Sequence, residues 1–476
     1  MNSGEQALTQ PKPFQARKIF RAYDIRGNVS ILDGILVRKI AAALAKVYLA
    51  QGQTQVVIGY DARLTSHEYS QIVTEELCNA GLHVIKIGCV SSPVLYFSAL
   101  AFSGNGIMLT ASHNPVSDNG IKWLVQGLPP TAEEIQIIAD SVEQNVPIKM
   151  TGKGQITHYD AYPAYSQFLS QDITLKASHR ISLDGLHGSA GYMAQRALTR
   201  LGCEVDALHC EANGQFPLGA PDPSDKQRLA LLRQSVLRHN AVMGIALDGD
   251  GDRVVILDEF ARIISPDRLL CLFAKICLLQ HPQAEIVCDV KCSTMLADTV
   301  KKYNGRFKMI RTGSSFLRHY LAKHQAYFGG EYAGHYAFYD GRGKGFDDGL
   351  YAALRILEYL EQTAQSLSQA LEEFPERIAT ADIYIDSLDI DSTAMLHYLE
   401  QQFKNDNAIQ LSKIDGIRLD FPYGFGIIRP SNTGDYFTVR FDADNAENLA
   451  HIRHTLSHCL HPRFPQIAQA IASIAS

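Results

Sequence analysis

Positive charge is in short supply in this sequence. Lys and Arg number 44 against 50 Asp and Glu, a formal charge of −6. That excludes a general electrostatic footprint for nucleic acid or anionic lipid, and leaves room for a local basic pocket that takes a phosphorylated small molecule. None of the nine cysteines stands in a C-x-x-C pair, so reduced thiols and a cytoplasmic life are expected. Cys288 and Cys292, four apart, read as core residues rather than metal ligands. Met1 to Phe20 contains no apolar h-region, and no signal peptide is expected. Between Lys86 and Asp118 there is no Asp, Glu, Lys or Arg. Pro, Gly and many Ser interrupt that stretch, so it reads as buried strand and helix leading into a special loop, not as a membrane span. The G-x-S-x-G elbow of an α/β-hydrolase is missing. So is the His spacing of a water-activating metal cluster, which argues against a metal-dependent phosphatase.

What is present is a large globular chain. It is 476 residues long, 46% hydrophobic and 20% charged, which implies two to five domains of roughly 100–200 residues each. Short apolar runs at Gln55–Tyr60, Val84–Gly88, Gly106–Leu109, Arg180–Leu183, Met243–Leu247 and Glu285–Cys288 read as strands. Amphipathic segments such as Val37–Ala50, Tyr69–Ala80 and Arg268–Leu279 alternate with them, which predicts about three parallel α/β units. Asp61, Asp184, Asp248 and Asp289 each close a run at the strand's C-terminal end, the edge where open α/β sheets bind ligands. The last hundred residues differ. Tyr436–Ala443 alternates strictly, with Phe437, Val439 and Phe441 on one face and Thr438, Arg440 and Asp442 on the other, which predicts a half-buried antiparallel strand. A helix over Asn445–Leu460 follows, so a smaller α+β domain closes the chain. Linkers are expected near Thr151–Thr157, Phe260–Pro266 and Glu373–Arg377, and the last dozen residues carry little signal.

Four motifs carry chemistry. In Asp248-Gly249-Asp250-Gly251-Asp252-Arg253, three carboxylates alternate with glycine after an apolar run. Carboxylate-only ligation suits a hard cation such as Mg²⁺, and the glycines let alternate carboxylates converge. Glu259 falls where a calcium EF-hand has its last ligand, but Arg253 sits where that loop needs Gly, and the flanks are strand-like. In Thr110-Ala111-Ser112-His113-Asn114-Pro115, a serine follows a strand in turn chemistry. Its hydroxyl can carry a phosphate, which would sit well beside a tri-carboxylate cation site. Glu331 and His335, in Gly329-Gly330-Glu331-Tyr332-Ala333-Gly334-His335, can exchange hydrogen bonds with sugar hydroxyls. Arg429-Pro430-Ser431-Asn432-Thr433-Gly434 combines an Arg fork, hydroxyls and loop N–H groups suited to a phosphate. Arg21, Arg26, Lys122, Arg253 and Lys291 are scattered basic residues near these loops in sequence.

The succession FRAYDIRG, TASHNP, DGDGDR, GGEYAGH and RPSNTG, from about Phe20 to Asp444, resembles the α-D-phosphohexomutase family, in its bacterial phosphomannomutase/phosphoglucomutase branch. The resemblance implies three α/β domains with mixed sheets and a smaller C-terminal α+β domain around a central cleft, divided at about 14–157, 158–261, 262–374 and 375–476. It implies a cytoplasmic isomerase, monomeric or weakly dimeric, that interconverts hexose 6-phosphate and hexose 1-phosphate of mannose or glucose. A hexose 1,6-bisphosphate would be both intermediate and activator. By resemblance, Ser112 is the phosphoserine, and Asp248, Asp250 and Asp252 hold Mg²⁺ together with its phosphate. Glu331, Ala333, Thr312 and Gly313 belong to the sugar-reading loops, and Arg429, Ser431, Asn432 and Thr433 to the phosphate clamp. Tyr23, Arg26, His113, Lys122, Arg253 and Lys291 match active-site positions, with Lys122 and His335 as candidates for proton transfer. Two departures stand out: Ala333 where the family usually has Ser, and Ser314 where close relatives often have His. A phosphoglucosamine mutase is the second reading, and a non-catalytic sugar-phosphate sensor a third.

Overall fold

The structure, a computed structural model, describes residues 15–145, 152–387, 390–431 and 435–474. Four sheets follow one another along the chain. The first is mixed and runs, in spatial order, Ile25–Asn28, Asp118–Leu124, Gly106–Leu109, Gln55–Tyr60, His83–Cys89 and Ile156–His158. Its parallel centre is covered on both faces, so these strands are continuous apolar runs rather than alternating ones. The second sheet orders Val254–Leu257, Met243–Leu247, Arg180–Asp184 and Glu204–Leu208, and the third Arg306–Ile310, Glu285–Asp289, Phe328–Gly330 and Tyr336–Phe338. Both are parallel with one antiparallel edge strand. The fourth is antiparallel and carries the helices Ser392–Phe403, Ala446–Leu460 and Pro465–Ala472.

Helices lie where the periodicity places them, with caps extending their starts. Gly34–Ala50 begins three residues before the expected Val37, because the Asp33 side chain accepts from Leu36 N–H. Pro266–Gln280 is capped by Ser265 and has Pro at its first position, so the expected linker there ends in a helix. One apolar core crosses the first three sheets, joining Val57 and Met108 to Leu183 and Ile245 and to Ile286 and Phe328. The helix Gly349–Thr363 packs against strands of both the second and the third sheet and is buried from Gly349 to Leu360. Among the described residues no helix is long and apolar enough to cross a membrane.

At three places the structure corrects or adds to what the sequence predicts. Thr151–Thr157 is not simply a linker, since Ile156–His158 pairs parallel with His83–Cys89 at the edge of the first sheet. All three residues are exposed, so no buried pattern marked them. The chain's last turn of sequence also folds, as Pro465–Ala472 buries Ile467, Ala468 and Ile471. Finally, Tyr436–Ala443 is not half-buried. Phe437, Val439 and Phe441 face the fourth domain's own core, but Thr438, Arg440 and Asp442 are also only 5%, 1% and 0% exposed. The third domain's turn at Val290–Ser293 covers that second face. Arg440 donates to Lys291 O and to Asp267, Asp442 accepts from Ser293 and Arg377, and Arg418 donates to Val290 O and Cys292 O at 2.6 and 2.7 Å. Cys288 and Cys292 are fully buried core residues, and both flanks of the aspartate loop are strands, paired Val254 to Leu247.

Candidate active site

The strand Gly106–Leu109 delivers Thr110 into a turn at the edge of the first sheet. Ser112 takes a left-handed backbone there, with φ of 53°, a strained conformation for a residue with a side chain. Its N–H donates to Thr110 Oγ1 at 2.8 Å, and Thr110 Oγ1 donates to the buried Asp61 at 2.7 Å. Ser112 Oγ donates to Asp248 Oδ2 at 2.6 Å and lies 3.2 Å from His113 Nδ1. Burial, reinforced by Arg253 and Arg26, holds the His113 imidazole well below its usual range, so it is neutral.

Asp248, Asp250 and Asp252 meet Ser112 from the second sheet. One ligand oxygen from each lies within 4.8 Å of the others, and all three residues are at most 1% exposed. Gly249 is required by contact: a Cβ there would stand 2.4 Å from Ser112 O. Gly251, with φ of 76°, makes the bend that brings the carboxylates together. Lys122 Nζ lies 2.7 Å from both Asp250 Oδ2 and Asp252 Oδ2. Burial disfavours its charge, but the two carboxylates hold its ammonium well above the usual lysine range. Burial and the neighbouring Asp252 and Asp250 push Asp248 well above the carboxylate range. Asp250 Oδ1 and Asp252 Oδ1 are buried without a hydrogen-bond partner among the described residues. Three clustered carboxylates with two bare oxygens are the donor set of a hard divalent cation, and the residues present fit one.

The third sheet brings the loop from Gly329 to His335. Glu331, 3% exposed, accepts from Gly313 N–H at 2.5 Å. Burial, aided by Asp289 and opposed by His335 and Lys291, raises its carboxyl to about 7. His335 Nδ1 lies 2.6 Å from Asp347 Oδ2, while Arg253 Nε donates to His335 Nε2 at 2.8 Å. Burial opposes an imidazolium here, and Asp252 and Asp347 favour it. The Arg253 bond requires Nε2 to be bare. Asp289 serves the same loops from below, accepting from Thr312 Oγ1 at 2.9 Å and Tyr332 N–H at 3.2 Å. From the fourth sheet comes Arg429. It pairs through Nε with Asp415 at 2.9 Å, and among the described residues its terminal NH2 nitrogen has no hydrogen-bond partner. Asp415 also accepts from Thr312 N–H, joining the third and fourth domains beside Arg429.

These pieces surround one cavity of about 380 Å³. Tyr23, Arg26, Ser112, His113, Lys122, Arg253, Lys291, Thr312, Gly313, Glu331, Ala333, His335, Arg429 and Ser431 all line it. The three aspartates lie behind Ser112 and Lys122. Asn432 and Thr433 fall outside the described residues. Arg21 and Arg318 add to the cations on the wall, so a chain of net charge −6 builds a strongly basic pocket. Residues 17–148, 163–260 and 265–378 match domains I, II and III of phosphoglucomutase/phosphomannomutase. The chain belongs to this family. It is 37% identical over 449 residues to phosphomannomutase/phosphoglucomutase of Pseudomonas aeruginosa, covering 94% of this chain and 96% of that one. It is 35% identical to phosphoglucomutase of Neisseria gonorrhoeae, covering 92% and 95%. A phosphoglucomutase/phosphomannomutase family protein from Burkholderia thailandensis superposes with a TM-score of 0.87 at 34% identity, covering 94% of this chain and 97% of that one.

Within this phosphohexomutase frame the strand-end aspartates divide. Asp248 enters the site. Asp61 and Asp289 hold the loops that carry Ser112 and Glu331, and Asp184 caps a turn beside His209. Sequence reasoning passed over Arg318, Asp347, Asp382 and Asp415. Asp382 pairs with Lys291 at 2.5 Å inside the cavity, and Arg318 stacks on Tyr96 at 4.2 Å. Arg318, Asp382 and Asp415 are isolated carboxylates or guanidinium groups on unremarkable stretches of chain, and Asp347 only adjoins Asp348, so no local pattern could have found them.

Proposed function

We propose that this phosphohexomutase interconverts hexose 6-phosphate and hexose 1-phosphate, of glucose and mannose, through phosphorylated Ser112 and a hexose 1,6-bisphosphate intermediate. The observation that carries the reading is the meeting of Ser112 Oγ with Asp248 at 2.6 Å on the wall of a basic cavity that also holds Arg429. Asp248, Asp250 and Asp252 would hold Mg²⁺, which when bound supplies charge neutralisation for the transferring phosphoryl group.

In the first half-reaction the bond from Ser112 Oγ to phosphorus breaks as a sugar oxygen bonds to that phosphorus. The sugar hydroxyl's proton leaves to a base. Lys122, and His335 once its Nε2 lone pair is released from Arg253 Nε–H, are the candidates for moving these protons. The bisphosphate then turns around, and its other phosphate passes back to Ser112 Oγ. Arg429 holds whichever phosphate is not reacting; its fork reads charge and geometry and tolerates either end of the sugar. Glu331, Lys291 and Thr312 face the hydroxyls between the two ends. Ala333 offers no hydroxyl, which weakens discrimination at one sugar position. The relatives' names speak of phosphoglucose and phosphomannose chemistry, which disfavours a phosphoglucosamine mutase. We assign the domains as 14–157, 158–261, 262–374 and 375–476, with the strand Ile156–His158 crossing the first junction.

The test is an assay of purified protein on glucose 1-phosphate, mannose 1-phosphate and glucosamine 1-phosphate with trace hexose 1,6-bisphosphate. Intact mass is recorded alongside. Turnover of the first two, an added phosphate on the parent, and loss of several orders of magnitude in Ser112→Ala are expected. Near-normal rates in Ser112→Ala would overturn the assignment.

A further inference from the structure

Arg63 lies beneath the Ser112 loop, 3% exposed, and does not line the cavity. Its guanidinium gathers four carbonyls of that loop. One terminal nitrogen donates to Pro115 O at 2.7 Å and Asp118 O at 2.9 Å, and the other to Ser112 O and Asn114 O, both at 2.7 Å. Nε faces Asp61 Oδ2 at 3.2 Å. A loop that turns through a left-handed Ser112 throws these carbonyls inward, where each would otherwise be a buried acceptor without a donor. Only a planar fork reaches four of them at once; an ammonium has three protons on a single atom.

The same side chain joins the nucleophile's loop to the second domain. Arg63 forms a β-bridge with Gly214, and its guanidinium lies 5.3 Å from the ring centre of Phe216. The second domain also supplies Asp248, the partner of Ser112 Oγ, so the register between Ser112 and the aspartates passes through Arg63. We propose that Arg63 is a positioning residue for phosphoryl transfer: its four carbonyl bonds hold Ser112 in the strained conformation that aims Oγ at the aspartate loop. This rests on Ser112 being the phosphoryl carrier. The consequence is a change in kcat without a change in sugar binding, because Arg63 touches the loop and not the cavity.

Arg63→Lys keeps the charge and removes the fork. The enzyme is loaded with glucose 1,6-bisphosphate, phosphorylated Ser112 is counted by intact mass, and kcat is expressed per phosphorylated site. A fall on the order of tenfold to hundredfold is expected from misplacing the reacting group, with KM for the sugar phosphate within about threefold of the parent. Parental kcat per phosphorylated site, or a KM that rises in step with the loss, would overturn the proposal. Should Arg63→Lys fail to fold, Phe216→Leu, which removes the ring beneath the Arg63 guanidinium and leaves the loop's own side chains in place, decides on the same two readouts. A parent with no mutase activity would refute the functional reading instead, so the two failures are told apart.

Discussion

Replacing Glu331 by Gln should make the protein more stable and the enzyme worse. The carboxyl is buried and titrates at about 7 instead of 4.5. Between pH 4.5 and 7 the folded protein keeps a proton that the unfolded chain has already lost. Stability therefore falls as pH rises through that window and is flat above it. At 1.36 kcal/mol per pH unit, the cost of the ionised carboxylate above pH 7 is about 3 kcal/mol. Gln carries no charge, and its carbonyl oxygen still accepts from Gly313 N–H. The variant should thus exceed its parent by under about 1 kcal/mol at pH 5 and by about 3 kcal/mol at pH 8.5. Because the first three domains share one core, the transition involves a large unit, and calorimetry should show a gain of about 5 °C at pH 8.5 and about 1 °C at pH 5. In the assay, losing a charge-assisted bond to the sugar should cost about 1.5–3 kcal/mol, tenfold or more in kcat/KM. The parent's own kcat/KM should decline below pH 7 as Glu331 takes up its proton, and the Gln variant should lack that inflection. A stability difference that stays constant from pH 5 to 8.5, or a variant less stable at pH 8.5, would refute the reasoning.

Three further outcomes are expected. Chelation should abolish turnover, and Asp250→Asn should weaken both metal affinity and rate, since a charge leaves a cluster in which Asp250 Oδ1 and Asp252 Oδ1 have no hydrogen-bond partner among the described residues; full activity in excess chelator would sink the cation site. Arg429→Ala should lose about tenfold to hundredfold in kcat/KM and depend more on added hexose 1,6-bisphosphate, because the intermediate escapes before turning around; steady-state kinetics with and without the activator decide. With Ala333 in the sugar loop, the preference between glucose and mannose phosphates should stay below about a hundredfold, or roughly 2.7 kcal/mol; competition kinetics would expose a larger one.

Much of this molecule was legible in one dimension. The alternation of apolar runs and amphipathic segments determined the parallel α/β units, because a strand covered on both faces and a helix covered on one have different periods. The aspartate loop announced itself because clustered like charges are a poor choice for a mere surface turn; the serine loop alone is ordinary turn chemistry and stood out only in succession with the other motifs. Periodicity failed where partners lie far off in the chain. The alternation of Tyr436–Ala443 predicts one wet face and one dry face. Arg440 and Asp442 are buried all the same, because the Val290–Ser293 turn of another domain supplies their partners. The edge strand Ile156–His158 has all three residues exposed and so left no trace in the pattern.

The sequence by itself determined which residues could do phosphoryl chemistry. It could not determine that they meet. Ser112 and Asp248 are 136 positions apart, and Arg429 is far beyond both, so their convergence depends on how four sheets are stacked. Only the tertiary structure put Asp61 under Ser112, Asp289 under Glu331 and Arg63 across the carbonyls of the Ser112 loop. A local pattern records burial and chain direction. It holds no record of which distant carbonyl a buried guanidinium will find, because that bond is required only once the backbone has folded and left the carbonyl without water.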